Sequence, residues 1–106
     1  MTKDMDRLEM LAQIVEQNPN DPFARYGLAM ELANRGELER ALAEFKQLLE
    51  RHPDYAAGYF MAAQTLAKAQ RTNEARKMLE DGISSAQRTN NAHAQSEMEA
   101  MLVDLQ

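Results

Sequence analysis

The chain has 106 residues, no cysteine and a formal net charge of −5 at pH 7, with 12 basic and 17 acidic side chains. The lack of cysteine excludes disulfide frameworks and thiolate chemistry, and it suits a reducing compartment. The excess of acidic side chains argues against nucleic-acid binding, which needs clustered Lys and Arg. No apolar run approaches the roughly 18 residues of a membrane span. Because the charged N-terminal segment also differs from a signal peptide, we expect a cytoplasmic protein with no membrane or nucleic-acid partner.

The residue types favour helices throughout. Only three prolines and four glycines interrupt the chain, and no β-branched run with a period of two occurs. We therefore expect an all-α fold.

Two helices are predicted at the start of the chain. The first covers about Asp4 to Gln17 and ends before Pro19, because a residue that precedes proline is disfavoured in the helical region. The second follows Asp21 as a capping residue, has Pro22 at its first position, and ends before Gly36, the expected left-handed residue. The apolar faces of these two helices are formed by Leu8, Leu11, Ile14 and Val15, and then by Phe23, Tyr26, Leu28, Ala29, Leu32 and Ala33.

The next two helices are predicted over residues 38–51 and 56–69, with Pro53 ending the first of them. The loops are short, so consecutive helices should be antiparallel neighbours. The apolar stripes are Leu38, Ala41, Leu42, Phe45, Leu48 and Leu49, and then Tyr59, Phe60, Ala63, Leu66 and Ala67.

Two further helices complete a predicted set of six. Thr72 is expected to cap the fifth helix, whose apolar residues are Ala75, Met78, Leu79 and Ile83. Residues 84–91 are rich in Ser, Gln, Thr and Asn and predict a polar break. A last helix over residues 92–105 should direct Met98, Met101, Leu102 and Leu105 inward.

The apolar pattern repeats. Pro19 and Pro53 are 34 residues apart, which is a period typical of helical repeat proteins. The same register aligns Ala29 with Ala63, Leu32 with Leu66, Ala41 with Ala75, Phe45 with Leu79 and Leu49 with Ile83.

The segments 25–29 and 36–42, followed by Phe45 and Pro53, resemble a tetratricopeptide repeat. The resemblance implies an α-α superhelix of antiparallel hairpins in one domain, 1–106. Its parts are a half repeat at 1–21, repeats at 22–55 and 56–89, and a capping helix at 90–106. The second repeat departs further from the family pattern, since Gln70 replaces the turn glycine. The tryptophan-like position holds Arg25 in the first repeat and Tyr59 in the second.

The resemblance also implies a function, which is binding a partner peptide or helix in a concave, largely apolar groove without a cofactor. The groove face is assigned to Phe23, Tyr26, Met30, Ala33 and Asn34 of one helix and to Ala57, Phe60, Met61, Gln64 and Lys68 of the other. Aromatic side chains provide contact area at low entropic cost, and Met adapts to irregular surfaces. The alternative is that Phe23, Tyr26 and Phe60 pack inside the domain.

The charged clamp that grips chaperone C-termini in this family is absent by residue type. A carboxylate is held by cationic donors. The matching positions here carry Tyr26, Met30, Met61, Asn91 and Gln95.

No catalytic or metal-binding constellation occurs in the sequence. His52 and His93 have no ligand partner at helical metal-site spacing, and Ser84 and Ser85 lack the glycines of a nucleophile elbow. We therefore expect no enzymatic activity and no metal site.

Self-association is the alternative function. Two full repeats are fewer than a stable solenoid normally needs, so a second copy could cover the exposed apolar faces. The first helix is the expected homodimer contact, through Met5, Leu8, Leu11, Ile14 and Val15.

Overall fold

A computed structural model describes residues 6–105, and these residues form six α-helices and no strand. The helices are α1 (Arg7–Gln17), α2 (Pro22–Asn34), α3 (Leu38–Arg51), α4 (Ala56–Lys68), α5 (Thr72–Arg88) and α6 (Ala92–Asp104). The predicted all-α repeat fold of six helices is therefore confirmed. The predicted helix start at Asp4, and Met5, lie outside the described residues.

The chain divides into two compact units, Met1–Arg51 and His52–Gln106. In the first unit α2 packs against both α1 and α3, whereas in the second α5 packs against α4 and α6, and α4 lies next to α6. Short loops join consecutive helices, so neighbouring helices within each unit are antiparallel. The repeat boundaries drawn from the sequence stay a prediction.

Side-chain capping marks the start of α2, whereas α4 and α5 begin without a side-chain cap. The Asp21 carboxylate accepts hydrogen bonds from the backbone N–H groups of Phe23 and Ala24 at 3.0 and 3.4 Å, and Pro22 is the first residue of α2, as predicted. The predicted cap at Thr72 is wrong, because Thr72 is already helical and Arg71 precedes it. The N–H of Arg71 closes the preceding helix by donating to the Leu66 carbonyl at 2.9 Å, and α5 begins one residue earlier than a cap at Thr72 would allow.

The turns after α2 and α4 have the same backbone structure. Gly36 has a φ of 77°, which confirms the predicted left-handed residue, and Gln70 adopts the same conformation at 63°. In each turn the N–H of the next residue donates at 2.9 Å to a carbonyl in the last turn of the helix, that of Leu32 or Leu66. This is a Schellman-type ending, which satisfies carbonyls that the helix leaves unpaired. The 34-residue register therefore extends to the backbone hydrogen bonds.

Four of the five aligned pairs of apolar positions are buried in both units, and the fifth pair, Leu49 and Ile83, is half-buried. Small side chains at four of the buried positions let the paired helices approach closely, while large side chains fill the neighbouring space. The residues with no exposed surface at these positions are Ala29, Ala41, Phe45, Ala63, Ala75 and Leu79.

Ile14 lies outside the core of the first unit, although it belongs to the predicted apolar face of α1. It is 40% exposed, whereas the adjacent Val15 is buried. Within the described part of the first unit, only α2 packs against α1, so the buried face of α1 is narrower than its apolar pattern suggests.

The predicted polar break over residues 84–91 is also wrong, because α5 continues to Arg88. Ser85 is only 2% exposed, and its hydroxyl oxygen lies 3.1 Å from the Pro53 carbonyl oxygen and 3.0 Å from the Asp54 carboxylate. These acceptors make a buried serine compatible with the helix. The chain turns only at Asn90, whose φ is 57°.

Candidate functional site

The groove residues predicted on α2 lie along one stripe of that helix. Phe23 is 76% exposed and Asn34 is exposed, while Tyr26 and Met30 are half-buried. The opposite face of α2 is buried in the first unit through Ala24, Leu28 and Leu32. Ala33 packs against that same core. Helix α2 therefore carries two apolar surfaces, and the alternative that Phe23 packs inside the domain is wrong.

The corresponding residues of α4 lie in the second unit. Phe60, Met61 and Gln64 are half-buried and Lys68 is exposed. The buried residues of α4 are Gly58, Tyr59, Ala62, Ala63 and Leu66. Helices α2 and α4 thus each have a partly exposed apolar face. It stays a prediction that the two faces line one groove.

Arg25 fixes α2 to its neighbours. Its side chain is 9% exposed; Nη1 donates to Glu44 Oε1 of α3 at 2.8 Å, and Nη2 donates to the Pro19 carbonyl oxygen at 3.2 Å. A buried guanidinium needs such partners, since an unpaired buried charge is strongly destabilising. The ion pair therefore holds the position of α2 relative to both α3 and the preceding loop.

Tyr59 occupies the aligned position in α4 and makes the equivalent contact. Its hydroxyl donates to the Pro53 carbonyl oxygen at 2.6 Å, as Arg25 does to that of Pro19. Burial raises the pKa of Tyr59, with smaller contributions from the Asp81 and Asp54 carboxylates. In both α2 and α4, therefore, a side chain near the start of the helix donates a hydrogen bond to the carbonyl of the proline six residues earlier.

A second pair of equivalent contacts joins each loop to the second helix of its hairpin. Arg51 Nη1 donates to Asn20 Oδ1 at 2.6 Å, and at the aligned positions the hydroxyl of Ser85 contacts Asp54. Arg88 also forms an ion pair with Asp54. Hydrogen bonds from Arg88 and Ser85 lower the pKa of Asp54 below its usual value. These contacts were not predicted from the residue patterns, although the 34-residue alignment pairs their positions.

A cleft lies between α4 and α6 in the second unit. Its lining comes from Phe60 and Gln64 of α4 and from Glu97, Ala100, Met101 and Asp104 of α6. Phe60 and Gln64 also belong to the predicted groove face, so α6 provides a second wall beside part of it.

The positions that match the carboxylate clamp have other roles in α6. The Asn91 side chain caps the helix by accepting from the Ala94 N–H at 3.1 Å, and Gln95 Nε2 donates to Glu99 Oε2 at 3.2 Å. Both residues are neutral, so they offer no charge to a carboxylate.

Residues 6–105 contain no group of three or more His, Asp or Glu side chains placed to hold a metal ion. The His93 imidazole is largely exposed and lies 3.4 Å from Glu97, one turn later in α6. Over the same range no helix has the length and apolar character needed to span a bilayer.

Comparison with known proteins gives consistent matches. Two family models described as tetratricopeptide repeat match residues 2–59 and 32–96. A TPR repeat-containing protein of Pseudomonas aeruginosa is 25% identical over 95 residues, which cover 90% of each chain.

Solved structures show the same fold. The solution NMR structure of a tetratricopeptide repeat domain protein from Salinibacter ruber matches with a TM-score of 0.78 and 31% identity, over 84% of this chain and 90% of that one. The TPR2B domain of yeast Sti1, in its pHsp70 complex, matches with a TM-score of 0.83 over 92% of this chain and 78% of that one. At 16% identity, the latter likeness concerns the fold alone.

Proposed function

The chain belongs to the tetratricopeptide repeat family, and we propose that it is an interaction module that binds a peptide or helix of a partner protein. The apolar faces of α2 and α4 contact the partner, and binding requires no cofactor. The module acts as a scaffold or adaptor in the cytoplasm and performs no catalysis.

The exposed face of α2 carries this proposal. Phe23 is 76% exposed next to the half-buried Tyr26 and Met30, on a helix whose other face is already buried in the core. A large apolar side chain gains free energy when it leaves water, and contiguous exposed apolar patches mark interaction sites. Aromatic and Met side chains are also typical of the anchors at protein interfaces.

The type of contact follows from the residues available. The Sti1 domain is in complex with pHsp70, which supports protein binding as a use of this fold. In this chain the clamp positions of α6 are neutral and those of α2 and α4 hold Tyr26, Met30 and Met61. The proposed partner is therefore held by apolar side chains rather than by its terminal carboxylate.

The experiment selects binding peptides from a displayed library on the purified chain and measures the affinity of one of them by fluorescence anisotropy. We expect Phe23→Ala and Phe60→Ala each to weaken binding about tenfold or more, as is typical of interface anchors. Val103→Ala is the matched control, because Val103 is an exposed apolar residue of α6 outside these faces. Folded variants that bind as tightly as the parent chain, or a library without binders, would contradict the proposal.

Self-association through α1 is the second candidate, and the exposure of Met10 and Ile14 favours it. These residues are 49% and 40% exposed and lie one turn apart, whereas Leu8 and Leu11 pack against the core of the first unit. Light scattering over a dilution series tests this function. A concentration-dependent dimer that Met10→Gln with Ile14→Gln abolishes would support it, and a monomer at every concentration would exclude it.

A further inference from the structure

The cleft between α4 and α6 combines an apolar centre with acidic ends. On α6 its lining residues are Glu97, Ala100, Met101 and Asp104, which follow one another at helical spacing and so form a single stripe. Phe60 contributes a half-buried aromatic side chain from α4. The two carboxylates are seven residues apart, or about 10 Å along the helix axis.

The charge around this cleft is one-sided. Helix α6 contains Glu97, Glu99 and Asp104 but no Lys or Arg. Within residues 6–105, Asp104 forms no ion pair, and Glu97 pairs only with the exposed imidazole of His93 at 3.4 Å. Both carboxylates are solvent-exposed and remain accessible to an external cation.

Two cationic side chains of the second unit, Arg76 and Lys68, lie near residues of the cleft or next to it. Arg76 of α5 uses its guanidinium to donate to Asn73 Oδ1 at 3.0 Å and to the Leu105 carbonyl oxygen at 3.3 Å. Lys68 is exposed one turn after Gln64 on α4. In the described part of the chain neither forms an ion pair with Glu97 or Asp104, so the acidic character of the α6 stripe is retained.

We propose that this cleft binds a basic amphipathic α-helix of a partner protein. An apolar side chain of that helix lies against Phe60 and Met101, and Lys or Arg side chains on either side of it pair with Glu97 and Asp104. This inference rests on the proposed interaction function and adds the charge and shape of the partner segment.

The spacing of the stripe favours a helical partner over an extended one. A helix places residues i, i+3 or i+4, and i+7 on one face, which matches an acid, an apolar centre and an acid over about 10 Å. Helices α4 and α6 run in the same direction, because each is antiparallel to α5. An amphipathic helix that docks its apolar face into a groove between two helices is a recurrent recognition mode.

The test uses two stapled helical peptides with the same apolar stripe, one with Lys and the other with Glu at the two flanking positions. We expect the Lys peptide to bind and the Glu peptide to bind at least several-fold more weakly. Raising the salt concentration from about 0.05 to about 0.5 M should reduce this difference, because it screens exposed charges.

Variants of the chain locate the contact. Glu97→Gln and Asp104→Asn should each weaken binding of the Lys peptide about two- to fivefold, in the range of exposed ion pairs. Glu99→Gln, which removes the same charge from α6 outside the cleft, is the matched control and should have no effect. Glu97→Lys combined with Asp104→Lys should reverse the preference, so that the Glu peptide binds better.

The outcomes separate this inference from the proposed function. Equal binding of both peptides, or equal effects of Glu97→Gln and Glu99→Gln, would overturn the inference. If library-selected peptides bind the chain but the Lys peptide does not, the basic-helix inference fails while the interaction function stands. If neither kind of peptide binds, both fail.

Discussion

At the residue scale, Gly82 permits the close packing of three helices in the second unit. A Cβ atom at this position would lie 2.5 Å from Met98 Sδ of α6 and 2.7 Å from Tyr59 Cβ of α4. The Met98 side chain could move, but Tyr59 Cβ is attached directly to the backbone of a packed helix. A side chain at position 82 therefore requires α4 and α5 to move apart.

We expect Gly82→Ala to lower the free energy of unfolding by about 1–3 kcal/mol, as overpacking does, despite the better helix propensity of Ala. Urea denaturation of the two proteins measures this. Gly27→Ala is the control, because its Cβ would meet only Leu11 Cδ2, at 3.3 Å. A Gly82→Ala protein as stable as the Gly27→Ala protein would contradict the packing argument.

Gln70 supports a second residue-scale prediction. It holds a φ of 63° at the turn where the aligned residue is Gly36, and a left-handed conformation costs a residue with a Cβ about 1–2 kcal/mol. Part of that cost is offset by the greater freedom of glycine in the unfolded chain. Gln70→Gly should therefore stabilise the protein by about 0.5–1 kcal/mol.

Thermal unfolding of Gln70→Gly, Gln70→Ala and Gly36→Ala tests this assignment. Only the first should raise the melting temperature, and Gly36→Ala should lower it. An unchanged or lower melting temperature for Gln70→Gly would mean that the turn is not strained.

The sequence predicted residue-scale features where they depend on local backbone chemistry. Asp21 caps α2 and Gly36 is left-handed because each follows from its immediate neighbours in the chain. The partners of Arg25 were not predictable in this way, since Glu44 lies on another helix and the pair forms only after α2 and α3 have packed. The burial of Ser85 likewise depends on Pro53 and Asp54, which are distant in sequence.

At the scale of elements, the contacts between the first helix of each hairpin and the preceding loop should differ in strength. Arg25→Met removes the cation from Glu44 and the side-chain donor from the Pro19 carbonyl. Tyr59→Phe removes one hydroxyl, but the Ser85 hydroxyl still lies within hydrogen-bond distance of the Pro53 carbonyl. The second substitution thus leaves its acceptor with a partner.

We expect Arg25→Met to lower the free energy of unfolding by about 2 kcal/mol and Tyr59→Phe by about 0.5 kcal/mol. Urea denaturation measures the two free energies of unfolding, with the same dependence on urea concentration used for both variants. A larger effect for Tyr59→Phe would show that Ser85 does not compensate.

The bounds of the helices could be predicted closely where proline or glycine ends them. Helix α3 occupies the predicted residues, whereas α5 continues through the polar segment at 84–91, because loop residues of the same unit provide acceptors for it. Composition alone indicates a loop there, since Ser, Thr and Asn have low helix propensity. Tertiary hydrogen bonds override that preference.

At the scale of the whole molecule, acid should destabilise the fold through specific carboxylates. The N–H of Glu9 is the main cause of a lowered pKa at Asp6, and the side chains of Arg88 and Arg71 are the main causes at Asp54 and Glu74. A pKa that is lower in the folded state stabilises the protein above the unfolded-state value, which is near 3.8 for Asp. That contribution disappears as the pH falls through the folded-state pKa.

We therefore expect the stability of the chain to fall between about pH 5 and pH 2. Asp54→Asn should be less stable than the parent chain at pH 7. The free energies of unfolding of the two proteins should converge at about pH 2. Urea denaturation over this pH range measures both curves. A constant difference between them at every pH would show that the charge of Asp54 makes no contribution.

The candidate site could be predicted only in part. Helical spacing placed Phe23, Tyr26 and Met30 on one face of α2, and the structure leaves Phe23 largely exposed. Spacing alone could not distinguish that surface from a core stripe, because both are apolar at the same period. The cleft beside Phe60 depends on how α6 packs in the second unit, so it could not be predicted from residue patterns.

Amide chemical-shift mapping shows whether the apolar faces of α2 and α4 bind a partner segment. A library-selected peptide is titrated into the isotopically labelled chain, and the shift changes are followed for each residue. We expect the largest changes within 23–34 and 57–68, and Phe23→Ala should reduce them. Changes confined to α1, α3 or α5 would contradict binding by these two faces.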